Sequence, residues 1–182
     1  FQRFRFNRNR FNTKTRLLNI YLYVNVKITF YCHASTIILP HEIWEKTMKD
    51  VFKNLVPPPT AQLLGWELID VDVEQGTIRI AFHPDERMLN PRGTVQGGIV
   101  AAMLDDTMVP ALYALTGGQY LASTIDLNVS FIRPVQPGRV IAEGRVVNRG
   151  RSVVFMEAEL LSEDGKLLAR ATSSGIPIEL AK

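Results

Sequence analysis

A single cysteine, Cys32, in 182 residues excludes an intramolecular disulfide framework and a cysteine-based zinc site. The only histidines are His33, His41 and His83, and no two share a metal-ligand spacing, so no chain-encoded transition-metal centre is expected. The sequence has no GxSxG elbow, no GxxxxGK phosphate loop and no GxGxxG opening a helix. Acidic residues are missing from the front, where none precedes Glu42. Charge of one sign is therefore unevenly spread. Residues 1–47 carry +6, and residues 48–182 carry −3, so the overall +3 is a property of the front end alone. The remainder lacks the basic stripe that a nucleic-acid partner would need.

What is present suits one globular domain with an appendage. With 46% hydrophobic and 21% charged residues, 12 Gly and 10 Pro, the chain is neither disordered, collagenous nor coiled-coil in composition. Residues 1–16 are rich in Arg, Asn and Phe. In the following LLNIYLYVNVKITFYC, Leu18, Ile20, Leu22, Val24, Val26, Ile28 and Phe30 alternate with mostly polar or tyrosyl neighbours. Period two predicts a strand, and Asn25 and Lys27 interrupt a run already shorter than the ~20 apolar residues of a membrane span. Residues 1–40 thus form a basic leader, read either as an organelle-targeting segment or as sequence upstream of a native start at Met48. The location follows from that choice: cytoplasmic with a start at Met48, organellar with a genuine leader.

From His41 to Lys182 the pattern is that of a single domain. Ile43, Trp44, Met48, Val51, Phe52 and Leu55 recur at helical spacing over 41–56, and Pro57-Pro58-Pro59 stops that helix. Two β-rich runs at 66–73 and 77–83 flank the turn Glu74-Gln75-Gly76, and a polar loop covers 84–96. Gly97–Leu115 reads as a helix buried on nearly all faces. Strands follow at 124–134, 139–149, 153–161 and 166–178, with Val154, Met156, Ala158 and Leu160 on one face of the third. The segregated order implies an α+β fold in which a curved antiparallel sheet wraps a long central helix.

The chemistry-bearing stretch is the loop Asn90-Pro91-Arg92-Gly93-Thr94-Val95-Gln96 leading into Gly97-Gly98, with Asp105 and Asp106 two turns further on. Glycines at a helix start let a ligand oxygen approach free N–H groups, and a carboxylate in apolar surroundings is raised toward general-base usefulness. Blander readings stand beside these. Asp105 or Asp106 would cap a second helix beginning near Thr107, with Pro110 in its first turn. Gly97-Gly98 would serve close helix–sheet packing, and Asn90 would be a turn residue. Met88, Leu89, Met103 and Met108 would line an apolar pocket or simply fill the core.

Taken together, NPRGTVQGGIVAAMLDD, TIDLNVSFIRP and NRGRSVVF resemble the hotdog-fold acyl-CoA thioesterases of the phenylacetate-degradation type, in the 4-hydroxybenzoyl-CoA thioesterase superfamily. The resemblance covers about residues 50–178. The family motif sets an Asn six residues before a His-Gly-Gly and an Asp nine residues after that His, a spacing kept by Asn90, position 96 and Asp105. The resemblance implies hydrolysis of an acyl-CoA thioester to the free acid and CoA. It makes Asp105 the base or nucleophile, the Gly97 amide the oxyanion donor, Asn90 the residue orienting water or substrate, and Thr124 a helper of the water. Asp106 has no matching role. Gln96 stands where the family pattern usually has His; it cannot titrate near neutrality, but it can donate and accept hydrogen bonds. A non-catalytic acyl-CoA-binding protein on the same fold is the alternative.

Gly98, Arg92, Arg149, Arg151 and Ser152 are the candidates for holding substrate, the arginines for the CoA phosphates. No cofactor is implied, since CoA is part of the substrate. Gly97 and Asp105 would lie about 12 Å apart along one helix, so a site using both needs two subunits with antiparallel helices. A homodimer is expected, with a dimer of dimers as the next assembly.

Overall fold

The computed structural model describes residues 18–21, 27–30, 51–53 and 55–180. The chain divides into two compact units, Phe1–Thr47 and Met48–Lys182. In the first, the expected single strand is instead two: β1 (Leu18–Tyr21) pairs antiparallel with β2 (Lys27–Phe30), Leu18 opposite Phe30. Alternation continues without Gly or Pro between them, so the sequence carries no signal for the reversal. The helix expected over 41–56 lies largely outside the described residues, of which Val51–Lys53 form a turn.

In the second unit α1 (Pro59–Leu64) begins at the last residue of the proline run. A proline at the first helical position loses no hydrogen bond, because that N–H has no intrahelical partner in any case. The same prolines expected to stop one helix therefore start another. Gly65 closes it at φ +68, where a Cβ would stand 2.8 Å from that of His83. Then come β3 (Glu67–Asp72), β4 (Thr77–Phe82), the long helix α2 (Gly97–Leu115), β5 (Tyr120–Phe131), β6 (Val140–Arg149), β7 (Val154–Ser162) and β8 (Leu167–Glu179). The loop 84–96 holds a 3₁₀ turn at Glu86–Met88, capped by Asp85, and a bridge between Leu89 and Val95.

The six strands form one antiparallel sheet in the order β3-β4-β6-β7-β8-β5. This is the hotdog architecture, the sheet curved around one helix. Val154, Met156, Ala158 and Leu160 are buried along one face of β7, as their alternation predicts. They meet Val100, Met103, Leu104, Met108, Ala111 and Leu112 of α2. Met88, Met103 and Met108 are buried and belong to this core. α2 is long and apolar enough to cross a membrane by length and composition, yet its apolar side is packed on the sheet.

Helix and sheet approach closely at Gly144, where a Cβ would lie 2.8 Å from the Thr107 Cγ2 and 3.0 Å from the Thr107 carbonyl oxygen. Thr107 is fully buried and turns its Oγ1 back to the Met103 carbonyl at 2.7 Å. Pro110 sits inside α2 and withholds the N–H that the Asp106 carbonyl would otherwise accept.

β5 lies at the edge of the sheet, so one side of a 12-residue strand is unpaired among the described residues. It runs along α2 in the opposite sense: the Phe131 ring lies against Gly97, and Thr124 reaches Asp105.

Candidate active site

The loop entering α2 is held by its own polar groups. The Asn90 Oδ1 accepts the Arg92 amide at 2.9 Å and the Thr94 amide at 3.4 Å, while its Nδ2 donates to the Thr94 Oγ1 at 2.9 Å. Gly93 supplies the positive φ, +74°, that this tight turn needs. The Val95 amide then donates to Val135 and the Gln96 amide to Met88. Both ends of the loop are thus tied to the body before the helix begins. Within the chain Asn90 acts as the turn residue that holds this loop.

Gln96 occupies the N-cap of α2 in an extended conformation, φ −59° and ψ 135°. Its carbonyl accepts the Ile99 and Val100 amides, but its exposed side chain caps no amide. The Gly97 and Gly98 N–H groups have no partner among the described residues, and they lie at the positive end of a 19-residue helix. Neither glycine has a positive φ. A Cβ on Gly98 would meet nothing within 4 Å, and one on Gly97 would only touch the Phe131 ring at 3.4 Å. Close packing against the sheet therefore does not account for Gly98, which faces open space, while Gly97 lies against the Phe131 ring of β5. A groove of about 400 Å³ runs past this end of the helix, lined by Asn90, Arg92, Gly97, Val100, Phe131 and Arg133 among others.

Two turns on, α2 continues unbroken through Asp105 and Asp106, so neither acid caps a second helix. Asp105 is half-buried, and its Oδ1 accepts a hydrogen bond from the Thr124 Oγ1 at 2.9 Å. Asp106 differs. Its Oδ2 is buried without a hydrogen-bond partner among the described residues, and its pKa is pushed up to about 6, first by desolvation and then by the neighbouring Asp105 charge.

Among the other candidates, Arg149, Arg151 and Ser152 lie exposed at the β6–β7 turn. That turn adjoins the Thr124 end of the sheet, since Val154 pairs with Gly175 and Gly175 with Thr124. The Arg149 guanidinium stands 4.7 Å over the Tyr120 ring. Arg92 is exposed on the groove at the other end, facing the same space as Arg133. Arg133 was not singled out from the sequence, although it stands inside the quoted FIRP string.

One chain thus brings together Asp105 with Thr124, and Gly97 with Asn90 and Arg92. The two groups sit at opposite ends of the first three turns of α2, about 12 Å apart along its axis, and Asp105 does not line the groove at Gly97. The chemistry available is that of a carboxylate with a hydroxyl partner, and of a pair of helix-end amides suited to an anion.

Comparison with known proteins identifies the family and the fold. Residues 92–169 match the sequence profile of the Thioesterase superfamily. A protein of Saccharolobus solfataricus named as a candidate esterase is 30% identical over 130 residues, covering 71% of this chain and 89% of its own length. Human acyl-coenzyme A thioesterase 13 is 22% identical over 127 residues, 69% of this chain and 90% of that protein. Among solved structures, a phenylacetic acid degradation-related protein of Ralstonia eutropha superposes with a TM-score of 0.65 at 36% identity, covering 71% of this chain and 98% of that one. The chain belongs to the thioesterase superfamily and has its hotdog fold. Family and relatives support a hydrolase of thioesters as its class.

Proposed function

We propose that the protein is a homodimeric acyl-CoA thioesterase whose site is completed across a two-fold axis. The observation that carries the reading is the Thr124–Asp105 hydrogen bond, at one end of a helix segment whose other end offers the unpartnered Gly97 amide. The unpaired edge of β5 is a surface a second copy would complete. An axis near Leu127 and Asn128 would set Thr124 opposite the partner's Phe131, and so Asp105 beside the partner's Gly97. The exposed Gly98 and Ala102 leave that face of α2 free of bulk.

In the reaction the thioester carbonyl oxygen points at the Gly97 N–H and the positive end of its helix. Asp105 from the other chain, held by Thr124, accepts a proton from water as the water adds to the carbonyl carbon. The tetrahedral intermediate collapses with cleavage of the C–S bond, and the CoA thiolate leaves and takes up the proton. Direct attack by Asp105, giving an anhydride that water cleaves, uses the same groups. Gln96, unable to titrate, orients substrate by hydrogen bonds. Arg92 and Arg133 from one chain and Arg149 and Arg151 from the other supply cations for the CoA phosphates. The chemistry consumes only water and needs no cofactor, and we place it in the cytoplasm for a chain starting at Met48.

The second reading, an acyl-CoA-binding protein without turnover, is favoured by Gln96 where the family has His. Hydrolysis of short, medium, long and arylacetyl CoA esters, with Asp105→Asn alongside, separates the two. Turnover lost in the variant with binding kept supports the hydrolase. Binding without turnover by the wild type supports the second reading.

A further inference from the structure

β5 and β8 pair antiparallel with one irregularity. Thr124 is opposite Gly175 and Asp126 is opposite Ser174, so Ile125 is an extra residue with no partner on β8. In a regular strand Thr124 and Asp126, two apart, would face the same way. Here they face opposite ways. Thr124 turns toward α2 and reaches Asp105, while Asp126 shares a row with Ser174 and the exposed Phe155 on the outer face.

The bulge is pinned from both sides of the sheet. On the outer face the Ser174 hydroxyl donates to the Asp126 carboxylate Oδ2. On the inner face the buried Ser173 Oγ donates to the Asp126 backbone carbonyl at 2.8 Å. The third residue of this trio is Gly175, opposite Thr124, where a Cβ would lie 3.1 Å from both the Ala122 Cβ and the Ser123 carbonyl oxygen. Three consecutive β8 residues therefore fix one irregularity in an edge strand, directly beside a proposed catalytic hydroxyl. Bulges beside active sites re-aim side chains in this way, and losing the extra residue shifts the register by one and turns Thr124 to the outer face.

We infer that Asp126 is a positioning residue: gripped by Ser173 and Ser174, it holds the bulge at Ile125 that turns Thr124 onto Asp105. The role rests on the thioesterase reading for its catalytic consequence, but its geometric content stands independently. Asp126 touches neither substrate nor reacting atoms; it acts through Thr124.

The test is a double-mutant cycle on the dimeric protein, assayed with whichever CoA ester of the panel is turned over fastest. Asp126→Ala is expected to lower kcat about tenfold, the order expected for losing a hydrogen bond to a charged group, with KM within about twofold. Ser174→Ala, the gentler variant, moves kcat the same way, and Asp126→Asn, which still accepts the Ser174 proton, keeps most of the activity. In a Thr124→Ala background Asp126→Ala costs nothing further, because the group it positions is gone. Equal losses in both backgrounds, tracking a fall in Tm, would make Asp126 an ordinary stabilising residue and overturn the proposal. A crystal structure of Asp126→Ala or Ser174→Ala reads the same point without turnover: the Thr124 Oγ1 moves out of hydrogen-bond reach of Asp105. If it stays at 2.9 Å, the proposal fails. A wild type that hydrolyses none of the esters removes the thioesterase reading, and the crystallographic comparison alone then decides the positioning role.

Discussion

The Thr124 Oγ1 donates to the Asp105 Oδ1 across 2.9 Å, tying the edge strand of the sheet to the middle of its central helix. Both side chains are accessible to solvent, and the bond joins residues nineteen apart in sequence. In the proposed reaction the other carboxylate oxygen of Asp105 takes the proton from water. Replacing Thr124 by Ala is expected to cost about 10- to 100-fold in kcat, the range for a lost hydrogen bond to a charged group. Thr124→Ser is expected to keep activity. Because Thr124 is exposed, Tm should barely change in either variant, which calorimetry alongside the assay would check.

Asp106 sets a pH dependence of stability. Its native pKa, about 6, lies above the ordinary 3.8, so the native state binds a proton that the unfolded state has already released. Stability from this group is full below pH 3.8, falls as pH rises from there through 6, and is level above that. The loss is on the order of 1–2 kcal/mol, since water screens part of the interaction of a carboxyl that is only partly buried. Asp106→Asn should flatten the fall in a series of urea unfolding curves between pH 4 and 7, and should leave the variant more stable than wild type at pH 7.

Gly98 sets stability against activity. A methyl there meets nothing within 4 Å, and Ala is the better helix former, so Gly98→Ala should stabilise the folded chain by up to about 1 kcal/mol. In the proposed reaction the thioester approaches the amides at this end of α2, where the added methyl would take up space. We expect kcat/KM to drop by at least about tenfold while Tm rises. A variant of unchanged activity would mean that the space above Gly98 is not where substrate comes.

Gly144 is the opposite case. A Cβ would strike the Thr107 carbonyl and Cγ2, and the backbone of α2 cannot move aside cheaply. Gly144→Ala should destabilise by about 1–3 kcal/mol, seen as a lower urea midpoint at unchanged slope.

The fold was legible because local signals agreed with one another. Alternation from Val154 to Leu160 named the buried face of β7, and Gly97 to Leu115 were the true bounds of α2. What escaped was set by tertiary contacts or by punctuation that reads two ways. Pro59 reads as a stop yet begins α1, and the unbroken alternation from Leu18 to Phe30 carries no sign of the pairing of β1 with β2. β5 starts at Tyr120, before the Thr124 at which the expected strand began. At the site, the resemblance pointed to Asp105, Thr124, Gly97 and Asn90; the structure joins Thr124 to Asp105 and ties the Asn90 side chain into its own loop. The unpartnered burial of Asp106 and the bulge at Ile125 depend on what packs around them, and no spacing rule encodes that. Arg133 was in plain view, in FIRP, but an arginine gains meaning only once a groove is beside it.

The central claim, one site built from two chains, is tested most directly by complementation. Gly97→Pro removes a single amide N–H at a position where proline is favoured, after a Gln96 whose φ of −59° and ψ of 135° already suit a following proline. Alone it should lose about 10²–10³ in kcat, and Asp105→Asn should be inactive. Co-expressed in equal amounts, half of the dimers are hybrids with one intact site of two, so about a quarter of wild-type activity should return. A mixture no more active than its two components, or full activity in a wild-type monomer, would contradict the shared site.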